Sequence, residues 1–242
     1  RLGFVNPALL SSPSQSIGAL LDLLVTESTG GYPLLLVHVF SSLSSFLVAF
    51  ALAALAGTLA GIAMGASPLV YRLINPLITV IMPIPGIAWV PVFMVWTGFG
   101  TATVIAVSAL AAFFPVAYNT ATGVRSVDQT LVKAARSMGA GRIDVLVRVC
   151  LPGAAAHILT GIRLGFARGW RTAIAVEMIM ASTHGLGFLV VEAREYLRPS
   201  LLYGSILLVG ALYLLVEYAV IRRVERSTIE KWGVAAPILE HS

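Results

Sequence analysis

The chain has 242 residues, of which 58% are hydrophobic and only 11% are charged, and its mean hydropathy is +0.91. A soluble domain carries about 25% charged residues, so this composition excludes an ordinary soluble domain and indicates a lipid environment. The net charge of +5 requires no nucleic-acid partner, and the single cysteine and four scattered histidines provide neither an internal disulfide nor a metal site.

Long apolar runs predict an all-α, polytopic transmembrane fold. Several runs exceed about 18 residues without alternating polarity, and a helix satisfies its own backbone hydrogen bonds in hydrocarbon. Residues 1–37 form an N-terminal lead that mixes polar and apolar residues and is interrupted by prolines and glycines. Residues 38–242 form the transmembrane domain. We predict five spans, at about 38–64, 73–96, 102–122, 154–181 and 201–221.

The distribution of basic residues predicts the orientation of these spans. When loops are assigned alternately to two compartments, ten of the sixteen Lys and Arg fall on one side, three on the other, and three within the fourth span. Cytoplasmic loops collect Lys and Arg. The segment 123–152 and the C-terminus are therefore expected to be cytoplasmic, with 1–37 and 182–200 outside. Five spans starting outside also suggest a further helix upstream of Arg1.

Four prolines interrupt the second span: Pro76, Pro83, Pro85 and Pro91. Each removes a helical N–H group, so this span is not one straight helix. Broken helices at membrane depth occur where protein or a water-filled cavity covers the freed carbonyls. The break is either a packing kink or a hinge that lines a transport route.

The cytoplasmic segment 123–152 contains more structure than a minimal connection needs. Ser126 and Gln129 have the spacing of a capping box, which predicts the start of a helix. Gly139 and Gly141 permit a sharp turn, and Pro152 is suited to open the next span. One small apolar face is expected from the residues at helical spacing: Leu131, Ala134, Ala135 and Met138. The segment is either an interfacial helix at lipid headgroups or a docking element for a cytoplasmic partner.

The fourth span carries charged residues that are costly in hydrocarbon. Arg163, Trp170 and Glu177 repeat every seven residues and are expected on one face. A small-residue ridge for helix packing is expected on the opposite face, at Gly161, Gly165 and Gly169. The same spacing in the first span, at Gly57, Gly61 and Gly65, indicates a second packing ridge. The arginines either snorkel or form internal ion pairs, or they supply positive potential to an anion pathway.

The run Lys133-Ala-Ala-Arg-Ser-Met-Gly139, followed by Leu151-Pro152, resembles the cytoplasmic "EAA" signature of ABC importer permeases. Lys133 stands where that signature usually has glutamate. Further motifs resemble permeases for nitrate, sulfonates, taurine and bicarbonate: Asn75-Pro-Leu-Ile, Met82-Pro-Ile-Pro-Gly, Val90-Pro-Val-Phe, Trp96-Thr-Gly-Phe-Gly100, Phe114-Pro-Val-Ala-Tyr-Asn119, Gly123-Val-Arg-Ser-Val127 and Gly185-Leu-Gly-Phe188.

This resemblance implies a type I importer permease with six helices per subunit, in a bacterial inner membrane. It implies a second permease copy, two cytoplasmic nucleotide-binding subunits that use ATP and Mg, an external substrate-binding protein, and surrounding lipid. The chain lacks a phosphate-cradling Gly-x4-Gly-Lys-Ser/Thr sequence, so we expect it not to be an enzyme itself. The expected cargo is a small anion such as a sulfonate or nitrate. The alternative is a stand-alone secondary transporter or channel.

Two groups of candidate site residues follow. The group expected to couple the permease to the ATPase comprises Leu131, Lys133, Ala134, Ala135, Arg136, Met138, Gly139 and Arg142. The group expected to line the pathway or form a gate comprises Pro83, Pro85, Trp89, Arg163, Arg168, Trp170, Arg171 and Glu177.

Overall fold

The computed structural model describes residues 11–28, 30–180 and 184–232, with side chains described up to residue 219. All regular structure in these ranges is helical, apart from one isolated bridge between Glu27 and Pro33. The all-α prediction is confirmed. The helices are α1 (Pro13–Val25), α2 (Leu34–Ala66), α3 (Pro68–Ile81), α4 (Val90–Thr97), α5 (Thr101–Ser126), α6 (Gln129–Ser137), α7 (Arg142–Val145), α8 (Leu151–Met180), α9 (Leu186–Glu195) and α10 (Pro199–Trp232).

The five predicted spans correspond to helices of the structure. Four stretches are long and apolar enough to cross a membrane on their own: Leu34–Ala66, Thr101–Ser126, Arg142–Met180 and Pro199–Ala219. The fifth is a broken pair, in which α3 ends at Ile81 and a 3-10 turn over Gly86–Trp89 leads into α4. The prediction that this span is not one straight helix is confirmed. The predicted end of the fourth span at Ala181 lies outside the described residues.

The chain forms two compact units, which are described separately. The first comprises Arg1–Ala49, Gly86–Ser108 and Gly169–Leu215, and the second comprises Phe50–Pro85, Ala109–Arg168 and Val216–Ser242. Helices α2, α5, α8 and α10 each contribute residues to both units.

The first unit contains a helix that the sequence analysis missed within the 1–37 lead. Ser12 caps α1, because its hydroxyl accepts a hydrogen bond from the Gln15 backbone N–H at 3.3 Å. The Gln15 side chain accepts one in return from the Ser12 backbone N–H at 2.9 Å. The spacing of Ser12 and Gln15, with proline at the first helical position, is a sequence pattern that indicates the start of a helix. One side of α1 packs closely on α10, where a Cβ placed on Gly204 would lie 2.7 Å from the Ser16 carbonyl oxygen.

In the second unit, glycines set the distance between α2 and α5. A Cβ placed on Gly57 would lie 2.9 Å from the Cβ of Val116, and one placed on Gly65 would lie 2.4 Å from the Cβ of Val124. Such separations are shorter than side chains tolerate, so only glycine permits this approach. The predicted packing ridge on α2 is confirmed. On α8, Gly165 plays the same part against the Ala112 carbonyl oxygen of α5, at 2.8 Å from a placed Cβ.

Candidate functional site: a helical hairpin between two spans

The chain between α5 and α8 forms a helical hairpin that begins after Ser126. Asp128 caps the N-terminus of its first helix, α6. The Asp128 carboxylate accepts a hydrogen bond from the Thr130 backbone N–H at 2.7 Å, and this hydrogen bond lowers the pKa of Asp128. The predicted capping box at Ser126 is wrong. Helix α5 continues through Ser126, whose hydroxyl donates instead to the Gly123 carbonyl oxygen at 2.9 Å. The helix therefore breaks at Val127, and Asp128 supplies the acceptor that α6 needs.

The turn between α6 and α7 depends on one of the two predicted glycines. Gly139 has a φ of +86°, in the left-handed region that favours glycine, whereas Gly141 has a φ of −69° that any residue adopts. A small apolar core closes the hairpin beneath this turn, and it contains Val127, Val132, Ala135 and Val145.

One strip of the hairpin's exposed surface is apolar. Leu131 and Met138 are 57% and 82% exposed, and Ala134 between them is also exposed. The expectation that Ala135 shares this face is corrected, because Ala135 is only 8% exposed and packs in the hairpin core. We call the surface formed by Leu131, Ala134 and Met138 the hairpin ridge. Sequence reasoning missed a further exposed apolar residue, Ile143 on α7, which is 77% exposed.

Basic side chains surround the hairpin ridge. Arg148 lies 3.7 Å from Asp144, one helical turn away. The candidate coupling residues Lys133, Arg136 and Arg142 are exposed, and no described carboxylate lies within 4.0 Å of them. The hairpin therefore presents an apolar ridge within a positively charged surface.

Three of the eight candidate pathway or gate residues lie at the break after α3. Pro83 and Pro85 are exposed, and Trp89 is half-buried at the end of the 3-10 turn. Arg168 of α8 contacts this break, because its guanidinium donates a long hydrogen bond of 3.5 Å to the Met82 carbonyl oxygen. Met82 is the C-cap residue of α3, so Arg168 donates to a backbone carbonyl that the end of the helix leaves without a helical partner.

The other candidate arginines of α8 have different surroundings. The Arg163 guanidinium lies 3.8 Å from the Glu217 carboxylate of α10, within the second unit. Internal ion pairing is one of the alternatives that the sequence left open for the arginines of α8. Arg171 is exposed in the first unit.

Trp170 and Glu177, which are predicted on one face of α8, are both buried. Trp170 packs edge-on against Phe46, with ring centroids 5.1 Å apart. Glu177 is 2% exposed and anchors the start of α9. Its Oε2 atom accepts hydrogen bonds from the Ser42 hydroxyl at 2.7 Å and from the Gly187 backbone N–H at 2.9 Å.

The Glu177 contacts extend to the neighbouring backbone groups of the loop before α9. The Leu186 N–H donates to the Ser42 oxygen at 2.7 Å, and the Gly185 N–H donates to Nδ1 of His38 at 3.0 Å. Carboxylates are favourable beside helix N-terminal N–H groups. We call Glu177, Ser42 and His38 the α9 anchor. No local pattern indicates it, because Glu177 is 135 positions from Ser42, and Gly185 is 147 positions from His38.

The arrangement is that of a polytopic helical permease: several spans, one of them broken, with a structured basic hairpin between the third and fourth. Residues 53–226 match the family described as "Binding-protein-dependent transport system inner membrane component". The chain belongs to this family, and it is therefore a multi-pass membrane protein and an ABC importer permease subunit.

Individual relatives agree with this assignment. The chain is 38% identical to the taurine transport system permease protein TauC of Escherichia coli (strain K12), over 89% of this chain and 78% of the relative. It is 29% identical to the putative aliphatic sulfonates transport permease protein SsuC of Bacillus subtilis (strain 168), over 96% and 80% respectively. The fold is similar to a chain of the MetNI methionine ABC transporter in an inward-facing conformation, with a TM-score of 0.68, 18% identity, and coverage of 81% of this chain and 99% of that chain.

Proposed function

We propose that the chain forms the translocation pathway for a small anionic solute, such as a sulfonate or nitrate, in an ATP-driven importer of a bacterial inner membrane. Two copies of the permease assemble with two cytoplasmic nucleotide-binding subunits, which hold ATP and Mg, and with an external substrate-binding protein. The C-terminus and the hairpin face the cytoplasm. The similarity to taurine and sulfonate permeases supports the anionic cargo, and the excess of basic residues supports the orientation.

The hairpin ridge carries this proposal. A stand-alone transporter has no use for exposed leucine and methionine side chains on a polar connection between spans, whereas a docking helix presents such an apolar face to a groove. ATP binding brings the nucleotide-binding subunits together, and the hairpin passes their movement to the spans as a rigid-body change.

Aspartate at Leu131 or Met138 is expected to prevent the nucleotide-binding subunits from docking. A buried, unpaired carboxylate is costly in an apolar groove, so we expect at least a tenfold loss of co-purified ATPase and a similar loss of ATP-driven uptake. Pull-down of the tagged permease and uptake of labelled solute with the cognate binding protein measure the two effects.

Ser137→Asp is the matched control for this experiment. Ser137 is exposed in the last turn of α6, and at about 100° per residue its side chain points about 120° around the helix axis from Leu131 and about 60° from Ala134, so it lies beside the hairpin ridge and not in it. It is expected to retain the ATPase. Full ATPase recovery and uptake in both ridge variants would contradict the docking proposal, and so would equal losses in the control.

Glutamine at Arg168 and at Arg171 tests the anion pathway. If these guanidiniums supply positive potential to the route, each neutral substitution is expected to lower anion uptake about tenfold, equivalent to about 1.4 kcal/mol in the barrier. Co-purification of the ATPase verifies assembly, and Arg148→Gln on the hairpin is the charge-matched control. Wild-type uptake in both variants would show that these arginines only pack the helices.

A further inference from the structure

The second unit contains a basic cavity of about 790 Å³ beside the hairpin. Its walls come from the end of α2, the start of α3, the end of α5 and the hairpin. Three arginines line it, Arg125 from α5, Arg136 from α6 and Arg142 from α7. Cavities of this volume accommodate a ligand of several hundred daltons.

The three arginines are positioned to bind an anion. The Arg125 guanidinium is held over the Tyr71 ring, 4.0 Å from its centroid, and this contact leaves its N–H groups available. The two acidic residues of the hairpin are engaged elsewhere, since Asp144 lies beside Arg148 and Asp128 caps α6. In the described part of the chain, therefore, no carboxylate neutralises the positive charge of this cavity.

The remaining walls are partly apolar and partly polar. Val132, Val145 and Leu146 line the hairpin side, and Ser67 lies at the junction of α2 and α3. Gly65 and Arg125, which lie in the last turns of α2 and α5, place the cavity at the same end of two apolar helices. Such an end is the level at which hydrocarbon gives way to lipid headgroups.

We propose that this cavity binds the phosphate-bearing headgroup of an anionic phospholipid. Arginine binds phosphate oxygens through paired N–H groups, and basic pockets at the ends of transmembrane helices take anionic headgroups. The apolar hairpin wall suits the glycerol and upper acyl carbons, which a free phosphate ion lacks. Because Arg125 belongs to a span and the other two arginines belong to the hairpin, one headgroup links the hairpin to the membrane helices.

Lipid binding to the purified full chain tests this proposal and does not depend on transport. Native mass spectrometry of the detergent-solubilised protein, titrated with phosphatidylglycerol, measures the affinity. Each of Arg136→Gln and Arg142→Gln is expected to weaken binding about fivefold, and the double variant about 25-fold, since one basic residue near the surface contributes about 1 kcal/mol. Arg136→Lys keeps the charge but loses the paired N–H geometry, so it is expected to retain only part of the affinity.

Matched controls distinguish a built site from general basic charge. Lys133→Gln and Arg148→Gln remove the same charge from the same hairpin but do not line the cavity, so they are expected to change the affinity less than twofold. Equal losses in these controls, or equal binding of phosphatidylcholine and phosphatidylglycerol, would overturn the proposal. Displacement of the lipid by millimolar inorganic phosphate would identify a free-phosphate site and would also overturn it.

Discussion

Valine in place of Gly61 is expected to abolish the folded protein. A Cβ placed on Gly61 of α2 would lie 2.6 Å from the Ala117 carbonyl oxygen and 2.5 Å from the Cβ of Thr120 on α5. Neither neighbour is the flexible end of a long side chain, so the two helices must separate. Overpacking of a core costs about 1–3 kcal/mol where side chains can move, and a rigid backbone contact is expected to exceed that range. The measurement is the yield of monodisperse protein in detergent, with Gly61→Ala giving a smaller but clear loss.

Gly210→Val provides the comparison for the Gly61 experiment. Gly210 is also inside an apolar helix, α10, but nothing lies within 4 Å of a Cβ placed there. Both substitutions introduce the same β-branched residue into a helix, so the propensity effect is common to them. Normal yield and thermal stability of Gly61→Val would show that α2 and α5 do not approach as closely as described.

Alanine in place of Glu177 is expected to release the N-terminus of α9. The substitution leaves the Ser42 hydroxyl and the Gly187 N–H without their acceptor in a buried place. Each orphaned buried group costs roughly 1–3 kcal/mol, so a loss of about 2–6 kcal/mol of stability is expected for the two. Hydrogen exchange of the Leu186 and Gly187 amides measures the release directly, and it should accelerate by at least tenfold. Glu177→Gln, which keeps a carbonyl acceptor, should retain most of the protection.

Glu195→Ala is the control for the α9 anchor. Glu195 lies on the same short helix, but it is exposed, and its carboxylate lies 3.8 Å from the exposed Arg194 guanidinium. Exposed ion pairs contribute little, so its exchange pattern should match the wild type. Unchanged exchange at Leu186 and Gly187 in Glu177→Ala would show that the carboxylate does not hold the loop before α9.

The transmembrane fold was predictable because hydrocarbon imposes one simple requirement, and long apolar runs can meet it only as helices. The break in the second span followed from proline chemistry, and the ridge on α2 followed from glycines four residues apart. The hairpin was recognisable because its alanines, Gly139 and Leu151-Pro152 are close in sequence and keep a fixed spacing. All of these signals are local.

The features that escaped prediction depend on contacts between distant segments or on a competing helix end. Helical spacing alone could not show that Ala135 faces the hairpin core while Ala134 faces outward, because the hairpin partner Val145 decides this. Ser126 has the right spacing for a cap, but α5 had not yet ended there. The contacts of Glu177 gave no local signal, because its hydrogen-bond donors lie on α2 and at the start of α9.

The two ends of the hairpin differ in how they join the neighbouring spans. At one end, the backbone leaves helical structure at Val127 before Asp128 caps α6. At the other, α7, a π-helical turn over Leu146–Cys150 and α8 run together, so helix extends without a gap through the 39 residues of Arg142–Met180. If a partner docks on the hairpin as proposed, we expect a push on Ile143 to pass directly into α8 through this uninterrupted helix, whereas the non-helical residues Val127 and Asp128 separate α6 from α5.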